Sequence, residues 1–297
     1  MIISTQELPG KLKEIIPIND KPSEKDIEEA EIIVGWPKQI NKLLDKCKNL
    51  KVIQTFSAGV DDLDFKRIKE ARVFSNAGAY SIPVAEHAWG LILGAAKGVN
   101  SKERLIAYQV CNKTLLVLGA GGIGIETARI GKNAFHTFNI GLSRSFKDKS
   151  VFDTVDSVES LHNYVEKADI IVDALPLNNS TKNILNYNLL RNVKNNCIIV
   201  NVGRGETVDE EDMFKLLSQR SDIRFATDVF WRKEDGKEDF LSSPLWSLKN
   251  FFGTFHTAGA YGNEEVMLRA MEIAIRNVQS FLRDGRASNE VRVADYL

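Results

Sequence analysis

"VLGAGGIGIETARIGKNAFHTFNIGLSRS", Val117 to Ser145, decides the fold. An apolar run ends at Gly119. Three more glycines follow at Gly121, Gly122 and Gly124, then a helix-like segment, then a second apolar run. Gly119, Gly121 and Gly124 make a Gly-x-Gly-x-x-Gly turn directly after a predicted strand and at the opening of a predicted helix. That context gives an otherwise weak motif its meaning. The first glycine makes the tight turn, the second admits a pyrophosphate against the backbone, and the third lets helix and strand pack closely. The amides around Gly122 and Ile123, at the helix N-terminus, attract the anion. The stretch therefore reads as a dinucleotide site.

The end of the same stretch bears on which dinucleotide. An Asp or Glu about 20 residues past the glycines accepts from the adenosine ribose in an NAD site. Here Ser143, Arg144 and Ser145 occupy that place, and no acid lies between Phe138 and Lys147. A guanidinium flanked by two hydroxyls suits a ribose phosphate, so the reading favours NADP(H) over NAD(H).

Strand-like and helix-like segments alternate along the rest of the chain. "IEEAEIIVGW", "LKVIQTF" and "ARVFSN" carry short apolar runs before the glycine turn. "DIIVDALP", "NNCIIVNVG" and "IRFATDVF" carry them after it. Short apolar runs between helical segments mean βαβ units and buried parallel sheets. The expected architecture is α/β, with two doubly wound parallel-sheet domains. A Rossmann-type cofactor domain over 82–267 is inserted into a smaller flavodoxin-like substrate domain built from 1–81 and 268–297. From Val84 to Val99 apolar and small residues recur at helical spacing behind Pro83, reading equally as a buried helix or as a subunit contact. "NEEVMLRAMEIAIRNVQSFLRDG" reads as a long amphipathic helix closed by Gly285.

Composition narrows the class. The chain has 297 residues and a net charge of -1, with no basic stripe, so nucleic acid is not an expected partner. Three scattered cysteines and four scattered histidines suggest no metal site. No signal-like start and no membrane-length apolar run are present, and a reducing cytoplasm is the simple expectation.

Three later blocks carry chemistry. "VNVGRGETVDEEDM" places Arg204 between glycines just past a strand. "FATDVFWRKED" places Asp228 at a strand end, with Glu234 beyond it. "GTFHTAGAYG" places His256 after another strand. With "SAGVDDLD", "VAEHAWGLIL" and the glycine turn, the chain over nearly its whole length resembles the D-isomer-specific 2-hydroxyacid dehydrogenases. The resemblance implies hydride transfer between a nicotinamide cofactor and a small 2-keto acid or its D-2-hydroxy acid. Arg204 would clamp the substrate carboxylate and polarise the keto oxygen. His256 would exchange the proton, and Glu234 would orient its ring.

The resemblance also makes the amides of Ser57, Ala58, Gly59 and Val60 a substrate-carboxylate loop. It makes Asp228 an acceptor for the nicotinamide carboxamide, and gives Leu175 and Pro176 the adenosine end. Thr181, Val202, Gly203 and Ala258 complete the cofactor set. The family's spacing from the strand-end aspartate falls here on Lys233, so Glu234 serves only if the loop holds an extra residue. Asn76, Tyr80 and Trp231 either border the pocket or pack the core.

The arm "NSKERLIAYQVCNK" is short for the family, which implies a homodimer with a reduced contact. No regulatory domain is expected beyond Leu297. Glyoxylate and hydroxypyruvate are the leading substrates, and 3-phosphoglycerate is the close alternative. A dinucleotide sensor without turnover is the rival from another class, disfavoured by the Arg204 and His256 pair. A methyltransferase needs neither residue. Formate dehydrogenases share the fold but put an amide where the orienting acid is expected.

Overall fold

The computed structural model describes residues 1–99, 101 and 103–297. Part of the short arm, at 100 and 102, lies outside the described residues. The chain divides into two compact units, Met1–Tyr80 with Gly262–Leu297, and Ser81–Tyr261. The second crossing is at Gly262, ahead of the expected 268. The physical reason is local: Gly262 has φ 76°, and Asn263 caps the next helix by accepting from the Val266 N–H.

In the first unit, β1 (Ile2–Ser4), β2 (Ile32–Gly35), β3 (Val52–Thr55) and β4 (Arg72–Phe74) form a parallel sheet in the order β1-β2-β3-β4. Three short helices lie between its strands: α1 (Gly10–Lys13), α2 (Glu24–Glu28) and α3 (Pro37–Asn41). Asn19 bridges Ile3 in parallel on the far side of β1. Counting that segment, the order is that of the flavodoxin-like fold, second-first-third-fourth-fifth.

Alternation along the strands serves two apolar faces. Ile3, Ile33, Ile53 and Val73 pack one core. Ile32, Val34, Val52 and Phe74 pack another, closed by Met271, Ala274, Ile275 and Val278. Those four come from the C-terminal helix (Glu264–Asp284), whose end at Gly285 takes the left-handed conformation. Asn76 is buried and donates to the Phe56 and Ala270 carbonyls, and the Tyr80 hydroxyl donates to Phe56. Both therefore hold this unit together. Burial pushes the Tyr80 phenol up to about 12.

The second unit opens with α4 (Ser81–Lys97), followed by β5 (Thr114–Leu118), α5 (Gly122–Phe135), β6 (Phe138–Leu142), β7 (Thr154–Asp156) and β8 (Ile170–Asp173). Then come α6 (Tyr187–Leu190), β9 (Ile198–Asn201), α7 (Glu210–Gln219), β10 (Arg224–Thr227) and β11 (Phe251–Gly253); the C-terminal helix described above is α8. The sheet order is β11-β10-β9-β8-β5-β6-β7, parallel throughout. The chain runs outward from β5 to β7, then restarts at β8 on the other side. The β5/β8 boundary is thus the topological switch point, where such sheets bind ligands.

Helix α4 buries Val84, Ala88, Trp89, Ile92 and Ala95 and meets α5 and the sheet. The Trp89 indole donates to the Thr127 carbonyl and stacks on Phe135. Gly131 makes room for it, since a Cβ there would lie 2.9 Å from the Trp89 ring. Among the described residues no helix is long and apolar enough to cross a membrane.

Candidate active site

One row of the second sheet aligns every segment of interest. Leu142, Leu118, Asp173, Asn201, Thr227 and Gly253 are register partners across β6, β5, β8, β9, β10 and β11. All the strands are parallel, so each continues past this row on the same edge. Gly119, Ser143, Leu175, Arg204, Asp228 and His256 follow within one to three residues of it. The Ser57–Val60 loop belongs to the other compact unit, just past β3.

The glycine turn is closed on its protein side and open on the other. Gly119 has φ 90°, and a Cβ there would lie 2.7 Å from the Ala174 carbonyl oxygen. A Cβ on Gly124 would fall 2.2 Å from the Gly119 oxygen, yet around Gly121 nothing lies within 4 Å. Helix α5 starts with no side-chain cap from Gly121. Its first N–H groups thus have no side-chain cap, and the place of a Gly121 Cβ is open, which fits a dinucleotide pyrophosphate. Gly203 serves the same cradle from β9, since a Cβ there would meet the Leu175 oxygen at 2.5 Å.

Past β6, Ser143 is half-buried, while Arg144 and Ser145 are exposed. Asp156 on β7 is the register partner of Leu142, an acid that distance along the chain does not reveal. Its carboxylate is engaged by the Ser157 N–H at 2.7 Å and the Tyr164 hydroxyl at 3.0 Å, which hold it below the usual range. Thr181 is buried, and its hydroxyl donates to the Pro176 carbonyl while accepting from the Asn178 N–H. It holds the Pro176–Thr181 loop.

Asp228 organises the other end of the row. It is 1% exposed. Oδ1 accepts from the Thr254 hydroxyl (2.6 Å) and the Thr257 N–H (2.9 Å), and Oδ2 from the Ala258 N–H (2.8 Å). The His87 ring, on α4, lies 2.8 Å from the Thr254 oxygen and 3.4 Å from Asp228. Because Thr254 gives its proton to Asp228, His87 must donate to Thr254. Burial alone would raise the Asp228 carboxyl, but these donors outweigh it and hold it below the ordinary carboxylate range. The Asp228 carbonyl also accepts from the His256 N–H at 2.7 Å. This pins His256 at φ 52°, a left-handed conformation that few non-glycine residues adopt.

The acid beside His256 is Glu238, a correction to the expected Glu234. The His256 Nδ1 lies 2.5 Å from Glu238 Oε2, and Glu238 Oε1 accepts from the Phe230 N–H at 3.0 Å. The cause is a hairpin. Arg232 and Glu238 form an antiparallel bridge, closed by Lys233 N–H to the Lys237 carbonyl and Gly236 N–H to the Lys233 carbonyl. Glu234 sits at the exposed tip of this turn, and Glu238 returns on its second strand. The hairpin is braced against the Arg204 loop. Arg232 pairs with Glu206 at 2.6 Å, the Trp231 indole donates to the Val208 carbonyl, and a Cβ on Gly205 would strike the Phe230 backbone. Trp231 is therefore a packing residue.

Arg204 is half-buried; its guanidinium donates to the Gly203 carbonyl at 2.8 Å, and its own carbonyl accepts from the Asn201 amide at 2.7 Å. Around Ser57 the turn is fixed by Thr55 donating to the Ser57 carbonyl and Ser57 to the Gly59 carbonyl. No group of His, Cys, Asp and Glu able to hold a metal occurs among the described residues.

Residues 73–258 match the model of the NAD binding domain of the D-isomer specific 2-hydroxyacid dehydrogenases. A hydroxypyruvate reductase of Thermotoga maritima is 29% identical, the alignment covering 82% of this chain and 84% of the relative. A glyoxylate reductase of Aeropyrum pernix is 28% identical over 80% and 75%. A D-3-phosphoglycerate dehydrogenase of Methanocaldococcus jannaschii is 29% identical over 90% of this chain but only 52% of its own. Among solved structures, a candidate formate dehydrogenase of Pyrobaculum aerophilum superposes with a TM-score of 0.83 at 28% identity, covering 99% of each chain. An NAD+-bound 3-phosphoglycerate dehydrogenase of Entamoeba histolytica shares the fold, with a TM-score of 0.75, 19% identity and coverage of 100% and 99%. The chain belongs to the D-isomer specific 2-hydroxyacid dehydrogenases, an oxidoreductase family that uses a nicotinamide dinucleotide.

Proposed function

We propose that the protein is an NADP(H)-preferring reductase of small 2-keto acids, acting on glyoxylate and hydroxypyruvate, and that it works as a cytoplasmic homodimer. The observation that carries the reading is the Glu238–His256 pair standing on the same sheet edge as Arg204 and the glycine turn. The relatives named for glyoxylate and hydroxypyruvate support the substrate class. The outer stripe of α4, where a Cβ on Gly90 or Gly94 meets nothing within 4 Å, supports close approach of a second copy.

The bound dinucleotide supplies or accepts a hydride at C2 of the substrate. The protein does the rest. The turn from Gly119 to Gly124 holds the pyrophosphate. Leu175, Pro176, Val202 and Gly203 border the cofactor, with Thr181 behind them, and Asp228 with Ala258 orients the carboxamide end. Ser143, Arg144 and Ser145 hold the ribose phosphate, while the Asp156 carboxylate on β7 is held by the Ser157 N–H and the Tyr164 hydroxyl.

Arg204 holds the carboxylate of the substrate and polarises its keto oxygen; in the other unit, the amides of Ser57, Ala58, Gly59 and Val60 form a loop able to bind a carboxylate. Glu238 accepts the Nδ1–H of His256, leaving Nε2 as the atom that gives a proton to the new hydroxyl or takes it back. A panel of 2-keto acids, followed by oxidation of NADPH and NADH in parallel, tests the reading. Glyoxylate or hydroxypyruvate with NADPH should be the fastest pair. Tight NADPH binding with no keto-acid turnover would instead favour a sensor.

A further inference from the structure

Behind Arg204 lies a buried carboxyl that the reaction scheme does not use. Asp173, the last residue of β8, is 0% exposed. Its Oδ1 accepts from the Leu175 N–H at 2.9 Å, and its Oδ2 lies 2.5 Å from the Thr207 hydroxyl. That hydroxyl is also 2.6 Å from the Arg204 carbonyl oxygen, which the Asn201 amide and the Thr207 N–H already reach at 2.7 and 3.2 Å.

Counting hydrogens decides the arrangement. Thr207 has one hydroxyl proton and two oxygen neighbours at short distance, so it donates to only one of them. The other contact is a hydrogen bond only if that neighbour brings a proton. The Arg204 carbonyl has none to bring, whereas a carboxyl does. We infer that Asp173 acts as a neutral carboxylic acid, donating to Thr207 so that Thr207 donates to the Arg204 carbonyl, and that this relay makes Asp173 a positioning residue for the substrate-binding arginine. When Asp173 ionises, Thr207 turns its proton back to the carboxylate and the Arg204 carbonyl loses that donor.

The surroundings agree. Burial raises the Asp173 carboxyl to about 6, against the opposing pull of Thr207 and the Leu175 N–H, so the acid form prevails below that pH and is the minor form at neutral pH. Among the described residues no ionised group offsets this. From β5 it meets Leu118, and from β9 Asn201. Of the charged residues on the neighbouring loops, Arg204 turns to the Gly203 carbonyl, Glu206 pairs with Arg232, Asp228 is held by Thr254, His87 and two amides, and His256 pairs with Glu238. At the other end of β8, Asp169 pairs with Lys194.

The inference rests on the proposed role of Arg204, and two readouts separate the two claims. The first is independent of turnover. Infrared spectra of the whole protein, titrated across pH, should show a protonated-carboxyl band that fades on the alkaline side and is absent in Asp173→Asn. No such difference would overturn the inference, even in an active enzyme. The second is kinetic. The amide introduced by Asp173→Asn can still donate to Thr207 and accept from Leu175. This variant should therefore keep the keto-acid KM within about threefold of wild type and flatten its rise with pH. Asp173→Ala should raise that KM about tenfold or more, a larger factor than for the NADPH KM, which the lost acceptor of the Leu175 N–H also touches. Thermal melts of both variants report whether they fold. A folded Asp173→Ala with a wild-type KM, or an Asp173→Asn as impaired as Asp173→Ala, would also overturn it.

Discussion

Replacing Glu238 by glutamine tests the site at one bond. The carboxylate receives the Phe230 N–H on Oε1 and faces the His256 Nδ1 through Oε2 at 2.5 Å. A glutamine keeps its carbonyl oxygen toward the Phe230 N–H, which sends its NH2 toward Nδ1. The ring must then accept at Nδ1 and carry its proton on Nε2. In that state, giving up the Nε2 proton would leave an imidazolate, so reduction is blocked. The reverse reaction is blocked too, because Nε2 has no free lone pair to take a proton.

An amide in place of the acid beside a catalytic histidine costs about 10,000-fold where the pair is sealed, through the wrong tautomer. The His256 side chain is 44% exposed and Glu238 16%, so water can relieve part of the effect. The expected loss in kcat is roughly a hundred- to ten-thousand-fold, about 3–5 kcal/mol of barrier. KM for NADPH should hardly move. Glu234→Gln, at the hairpin tip, should stay within about twofold of wild type, as surface changes generally do. The assay is steady-state NADPH oxidation with saturating keto acid, run on both variants. Equal losses, or a larger loss at Glu234, would refute the tautomer argument.

Other outcomes follow from the same geometry. Arg204→Lys should lower keto-acid kcat/KM by about 100-fold or more, because an ammonium lacks the planar fork that pairs with a carboxylate, and a substrate titration measures it. Arg144→Ala should raise the NADPH KM several-fold and leave that for NADH nearly unchanged; equal effects on both count against a ribose phosphate at this place. Gly121→Ala, in open space, should fold normally yet weaken cofactor binding, whereas Gly124→Ala, 2.2 Å from the Gly119 oxygen, should also lose about 1–3 kcal/mol of stability in urea melts. Asp173 has a folded pKa of about 6 against an ordinary 3.8, so its contribution to stability is complete below the ordinary value and is lost as pH rises to about 6. That is about 3 kcal/mol over the window, absent in Asp173→Asn, and urea melts across pH measure it.

Local signals carried most of the second sheet. Each strand from β5 to β11 except β7 is an apolar run bounded by polar turns, and the glycine turn marks where the ligand edge begins. The short strand Thr154–Asp156 escaped because it sits at the sheet edge and is only partly buried. Asn19 escaped because it pairs through a single bridge. Arg204, Asp228 and His256 were legible because each follows its strand closely. Glu238 was not. Its distance from Asp228 depends on how the Lys233–Gly236 turn closes, and chain spacing does not record a turn's register. Asp173 and Thr207 are farther still from view. Their meeting follows from β8 and β9 lying side by side, which a list of motifs does not contain.

The central claim is that a hydride reaches C2 of a small keto acid while His256 protonates its oxygen. A single turnover with NADPH deuterated at C4 of the nicotinamide, followed by mass analysis of the product from hydroxypyruvate, tests it most directly. Deuterium should appear at C2 of the D-hydroxy acid with the wild-type protein, and almost none with His256→Ala. Unlabelled hydroxypyruvate recovered alongside intact, tightly bound NADPH in the wild type would contradict it.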